Sequence, residues 1–180
     1  MSQPLPPVSD LALAAIPNAV YWARCHTVDV LQRWHFPAEG TEVARLLVSE
    51  LATNAIQHAR PLGPPDAALP APDTILLRLW PTPTGVVLQV GDNDPRPPTP
   101  QSPSDGALGG RGLLLTATMA TRWGYHPRRP YPGKFVWAEV SARPTTALTE
   151  LADGRLDTTP LLLGQSPDRP AGALEDCWGL

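Results

Sequence analysis

The chain has 180 residues and a formal charge of −3, with 14 Lys plus Arg against 17 Asp plus Glu and no long run of one sign. That length suits one domain with a substantial core, and the mild acidity argues against nucleic acid or an anionic membrane as the main partner. The 24 prolines are more than twice the usual share of about 5%, and they cluster in stretches that read as loops and tail.

No apolar run approaches the roughly 18 residues of a membrane-spanning helix. Met1 to Pro7 lacks the basic and apolar regions of a signal peptide and is expected to be a flexible N-terminus. Cys25 and Cys177 lie far apart without metal-ligand spacing, which fits thiols of a reducing cytoplasm. Lys134 is the only lysine, the other strongly basic residues all being arginine; with abundant alanine and proline, this resembles coding by a GC-rich genome.

Val8 to Ala15 alternates weakly and predicts a first strand. Asn18 is the expected cap of a helix over Ala19 to His35, with Val20, Ala23, Val28, Leu31 and Trp34 near one face and Pro37 as the stop. Tyr21, Trp22 and Trp34 are expected to pack into the core, a homodimer interface being the alternative use of their surface. Ala38 to Arg60 is the strongest helix, closed by Pro61. A proline-rich loop reaches Pro72, and strands follow at Thr74 to Trp80 and Gly85 to Gly91, joined by a turn as a hairpin. Asp92 to Leu108 reads as a loop, and Gly109-Gly110-Arg111-Gly112 opens a helix over Leu113 to Thr121. Arg122 to Tyr125 and Lys134 to Ala142 read as a closing pair of strands. Residues 143–180 form a proline-rich tail, expected to be mostly disordered, with one short helix or strand at Leu161 to Leu163. The expected fold is an α+β two-layer sandwich over residues 8–142, with helices on one face of a mixed, largely antiparallel sheet.

The stretch "SELATNAIQHA" sets Glu50, Asn54 and His58 four residues apart. Residues at that spacing stack on one helix face, while Leu47, Val48, Leu51, Ala52, Ala55, Ile56 and Ala59 cover the other directions. Glu50 and Asn54 thus offer a carboxylate and an amide oxygen about 6 Å, one turn, apart. Mg²⁺, which takes few protein oxygens and keeps waters and phosphates, suits such a pair; a solvated edge capping loops suits it equally well. The "GGRG" turn could converge backbone N–H groups on an anion at a helix N-terminus or simply turn the chain.

The order of these parts resembles the GHKL (histidine-kinase-like) nucleotide-binding fold, and in particular its anti-sigma-factor/serine-kinase branch. "SELATNAIQHA" looks like the N-box, "VGDNDPRPP" occupies the adenine-binding box, "LGGRGLLL" the second glycine box, and "RWGY…GKFVWAEV" resembles the closing strands. The stand-alone ATP-binding regulators common in actinobacteria are the nearest in kind. The resemblance implies that Asn54 ligates the Mg²⁺ of bound ATP, that Glu50 is the general base, and that Asp92 accepts a hydrogen bond from the adenine amino group. Gly110 and Gly112 would let the loop approach the phosphates, with Arg111 helping. His58 would bond to backbone.

Three positions depart from that pattern. Asp92 is followed by Asn93-Asp94-Pro95 rather than by a glycine two residues on. Leu108 stands where kinases of the branch carry a basic residue. Phe135 occupies the place read as that of a threonine that helps fix the aspartate, and a phenyl ring cannot donate a hydrogen bond. The resemblance implies a cytoplasmic Mg²⁺- and ATP-dependent serine/threonine kinase, with an anti-anti-sigma-type protein as substrate and a sigma factor as further partner. A non-catalytic, nucleotide-dependent module that sequesters such a partner is the alternative. The catalytic part of a sensor histidine kinase fits less well, because no phosphoacceptor-histidine helix pair precedes the domain.

Overall fold

Along Gly85–Asp92, Val86, Leu88 and Val90 join a core shared with the helices, while Val87 belongs to a separate cluster with Trp80 and Trp137. Strand side chains alternate between faces, so this strand is buried on both. It is the third of six in a computed structural model that describes residues 7–58, 73–98, 112–143 and 161–162. The elements are β1 (Ser9–Ala14), α1 (Asn18–Arg33), α2 (Ala38–His58), β2 (Thr74–Pro81), β3 (Gly85–Asp92), α3 (Gly112–Met119), β4 (Arg122–Pro127), β5 (Lys134–Ser141) and β6 (Leu161–Leu162). The sheet order is β1-β2-β3-β5-β4-β6, antiparallel throughout except that β6 runs parallel to β4. This is the expected α+β architecture, and the hairpin of β2 and β3 and the closing pair of β4 and β5 are both present.

Helix α1 departs from expectation in two ways. Asn18 is not its cap: Pro17 holds that position without a side-chain cap bond, because the Ile16 and Pro17 carbonyls already accept from the Ala19 and Val20 amides. The buried stripe is Ala19, Ala23, Thr27, Val30 and Leu31. Thr27 can be buried because its hydroxyl donates to the Ala23 carbonyl at 2.8 Å. Tyr21 and Trp22 lie outside that stripe and are 54% and 58% exposed, so the expectation that they fill the core does not hold. They meet each other edge to face at 5.3 Å.

A tight reversal joins α1 to α2. His35 takes a left-handed φ of 55°, its amide donates to the Gln32 carbonyl, and the Phe36 amide donates to the Leu31 carbonyl at 2.9 Å. This is the paired closure in which glycine is the usual residue. Gly40, in the first turn of α2, makes room for the Phe36 ring, since a Cβ there would lie 2.6 Å from it. Helix α2 then packs against β2, β3 and β5 and against both other helices, burying Ala44, Leu47, Val48, Leu51, Ala52 and Ala55.

Beyond Arg143 the structure describes only Leu161 and Leu162, which pair with Gly124 and Tyr125. The short tail element is therefore a strand. The loop expected to reach Pro72, Leu108, Gly110, Arg111, Cys177 and the remainder of the tail lie outside the described residues. No helix among the described residues is long and apolar enough to cross a membrane.

Candidate nucleotide-binding site

Glu50 and Asn54 are half-buried on α2, one turn apart, between the fully buried Leu51, Ala52 and Ala55. The helix that carries them packs on β3, whose last residue is Asp92, and on α3, whose first residue is Gly112. Four of the expected site residues thus lie on α2 or on elements packed against it. Gly110 and Arg111 are outside the described residues, and of His58 only the helical backbone is described.

Asp92 is 2% exposed. Its Oδ1 accepts from the Lys134 Nζ at 2.9 Å and from the Asp94 amide at 2.8 Å. Lys134 is nearly as buried, and its Nζ also donates to the Asp94 carbonyl at 3.0 Å. Burial pushes the Asp92 carboxyl up from the ordinary carboxylate range, and the bond and charge of Lys134 offset only part of that rise. The Asp94 carboxylate is held by Arg96, whose Nε and second terminal nitrogen reach it at 2.8 and 2.6 Å. That pairing keeps Asp94 well below the usual carboxylate range.

Lys134 reaches this place through Gly133. That residue has φ of 120°, and a Cβ on it would lie 2.0 Å from the Asp92 carbonyl oxygen. Only glycine fits there, and its close approach starts β5 with Lys134 directly opposite Asp92. The sequence carried this signal in the pair Gly133-Lys134 and in the uniqueness of the lysine. Neither singled out Lys134 as a site residue.

Phe135 lies elsewhere. Its ring covers Gly91, where an added Cβ would sit 2.4 Å from the ring edge. Because Gly91 and Asp92 point to opposite faces, Phe135 stands on the face away from the Asp92 carboxylate. The residue beside that carboxylate is Lys134, so reading Phe135 as the missing support of Asp92 is corrected. Phe135 instead packs beneath Arg78, whose guanidinium is 5.6 Å from the ring centroid, and beside His126.

A further acid went unnoticed in the sequence. Asp73, 5% exposed, precedes β2; its Oδ1 accepts from the Thr74 amide, while its Oδ2 is buried without a hydrogen-bond partner. Burial raises its carboxyl above the ordinary range.

The donor set suits ATP with Mg²⁺. Asn54 would offer one amide oxygen to a cation that retains water and phosphate ligands, with the Glu50 carboxylate one turn away on the same helix. Among the described residues there is no group of three or more His, Cys, Asp or Glu that could hold a metal by themselves. A buried acceptor at the end of β3 suits a base that presents an amino group.

Comparison with known proteins agrees with this layout. The family profile described as a histidine kinase-like ATPase domain matches residues 13–138, from β1 into β5. No curated protein matches the chain with significance. The profile covers more than half of the chain and spans α2, β3 and α3, which carry the candidate residues; the chain belongs to the histidine kinase-like ATPase family.

Proposed function

We propose that this ATP-binding domain is a regulatory serine/threonine kinase of the anti-sigma-factor type, using Mg²⁺-ATP to phosphorylate an anti-anti-sigma-type protein in the cytoplasm, with a sigma factor as its further partner. The observation that supports it most directly is the polar pair Glu50 and Asn54, half-buried on the helix that packs on the strand ending in Asp92. Asn54 holds the cation through its side-chain oxygen. Bound Mg²⁺-ATP supplies the phosphoryl group. A Glu50 carboxylate oxygen takes the proton of the substrate hydroxyl, and Asp92 accepts from the amino group of adenine. Gly110, Arg111 and Gly112 complete the phosphate side, where the start of α3 at Gly112 favours negative charge. Positioning and charge neutralisation suffice for such transfers.

The test is thermal and radiochemical. Mg²⁺-ATP is expected to raise the melting temperature, and Asn54→Ala to remove that rise; no rise in the intact protein at millimolar ATP defeats the reading. Glu50→Gln is expected to keep the rise and to abolish labelling of the partner protein.

A second reading is a non-catalytic module that holds its partner in a nucleotide-dependent way. The exposed Ile16, Tyr21 and Trp22 favour it, since together they offer apolar surface for a protein contact, a second copy of this chain included. Capture of the partner without phosphate transfer by the intact protein would select this reading over the first. Light scattering of the intact protein and of Trp22→Ala tests the homodimer.

A further inference from the structure

The Asp92–Lys134 pair is the most deeply buried ion pair among the described residues, with side chains 3% and 5% exposed. Lys134 donates to Asp92 and to the Asp94 backbone, and its charge also reaches the Asp94 carboxylate, which Arg96 holds. Lys134 supplies the charged hydrogen bond to the Asp92 carboxylate. Gly133 brings the start of β5 into close contact with the Asp92 backbone.

We propose that Lys134 determines base selectivity: by fixing Asp92 as a hydrogen-bond acceptor, it makes the site take purine nucleoside triphosphates with an amino group at the six position and reject those with a carbonyl there. This rests on the reading that Asp92 meets the base.

The physical argument turns on what a carboxyl can do in each state. Ionised, it only accepts hydrogen bonds; protonated, it gains an O–H that can donate. A carboxyl as buried as Asp92, without a counter-charge, shifts toward the neutral acid. A neutral acid could turn its O–H to a six-position carbonyl and bind inosine or guanine nucleotides. With Lys134 in place the carboxylate meets an amino group favourably and a carbonyl lone pair unfavourably. The charged groups around Asp92 are Lys134 from β5 and Asp94 with Arg96 from the segment after β3. Of these, only Lys134 bonds to the Asp92 carboxylate with a charged group.

Lys134 acts through Asp92 and is a positioning residue. A purely structural clamp would lower the affinity for every nucleotide alike when removed, whereas selectivity control changes their ratio. Calorimetric titration with Mg²⁺-ATP and Mg²⁺-ITP reads that ratio. The intact protein is expected to prefer ATP by more than about tenfold. Lys134→Met is expected to shrink the preference to within about threefold, with the ITP affinity rising as pH falls, and Lys134→Arg to restore it. An unchanged ratio in Lys134→Met overturns the inference. So does equal binding of both nucleotides by the intact protein, whereas binding of neither defeats the nucleotide reading itself. A second measurement needs no variant: carboxyl-carbon NMR of Asp92 in the nucleotide-free intact protein. The carboxyl is expected to be ionised at neutral pH, and a protonated acid there overturns the inference.

Discussion

Asp92 and Glu139 are both carboxylates buried at an end of the β3–β5 strand pair, but at opposite ends and on opposite faces. Glu139 is enclosed by donors on both oxygens. Thr82 and Thr84 hydroxyls meet Oε1, and Arg122 meets Oε2 through two nitrogens at 2.8 and 2.6 Å. Those donors tie the β2–β3 turn and the start of β4 to β5, and the arginine remains half exposed. Asp92 instead faces one fully buried ammonium and one backbone amide, both on the same oxygen. A saturated acid holds a fold together. An acid balanced by one buried cation is sensitive to whatever enters beside it.

That contrast can be broken from either end. The largest effect is expected for Lys134→Met, which leaves Asp92 buried without a counter-charge; a loss of about 3 kcal/mol at neutral pH should appear in urea denaturation. The loss should shrink as pH falls, because the stranded carboxyl then takes up a proton. Arg122→Met is expected to cost less, about 1 kcal/mol, since Thr82 and Thr84 still serve Glu139 and the arginine is more than half exposed. Equal losses at the two ends would erase the distinction.

The smallest expected effect sharpens the comparison with a third buried acid. Burial raises the Asp73 carboxyl, so the native state binds its proton more tightly than the unfolded chain does. Its contribution to stability is present at acid pH, below the unfolded value of about 3.9, and is lost as pH rises through the raised native value. Asp73→Asn keeps the acceptor for the Thr74 amide and removes the unpaired charge. It is expected to stabilise the protein by about 0.5 kcal/mol at pH 7, with the difference fading toward pH 4 in parallel melts of both proteins.

The strands were legible because their apolar residues alternate between bounded turns, and α2 because its polar stripe interrupts an apolar helix at a regular interval. Helix α1 was misread where local propensity competes with tertiary fit. Asn18 is a good cap by type, yet the backbone carbonyls of Ile16 and Pro17 already serve the first amides. Tyr21 and Trp22 are apolar by type, yet the small Ala19 and Ala23 are what the close helix contact admits. Glu50, Asn54 and Asp92 stand out as candidates in the sequence because each belongs to a spaced local motif. Lys134 meets Asp92 across strands, and sequence spacing does not show which residue a strand sets opposite another. A one-residue difference in alternation separates Phe135 from Lys134, and spacing alone does not say which of the two faces Asp92.

The reversal at His35 and Phe36 has a practical consequence for measuring this protein. With both amides spent on closing α1 and only Pro37 before α2 begins, the linker has no slack. The two helices form one strut. A spectroscopic label on the exposed free thiol of Cys25 would therefore report the position of the helix bearing Glu50 and Asn54 as a fixed benchmark, against which movements of the β3–β5 edge could be surveyed.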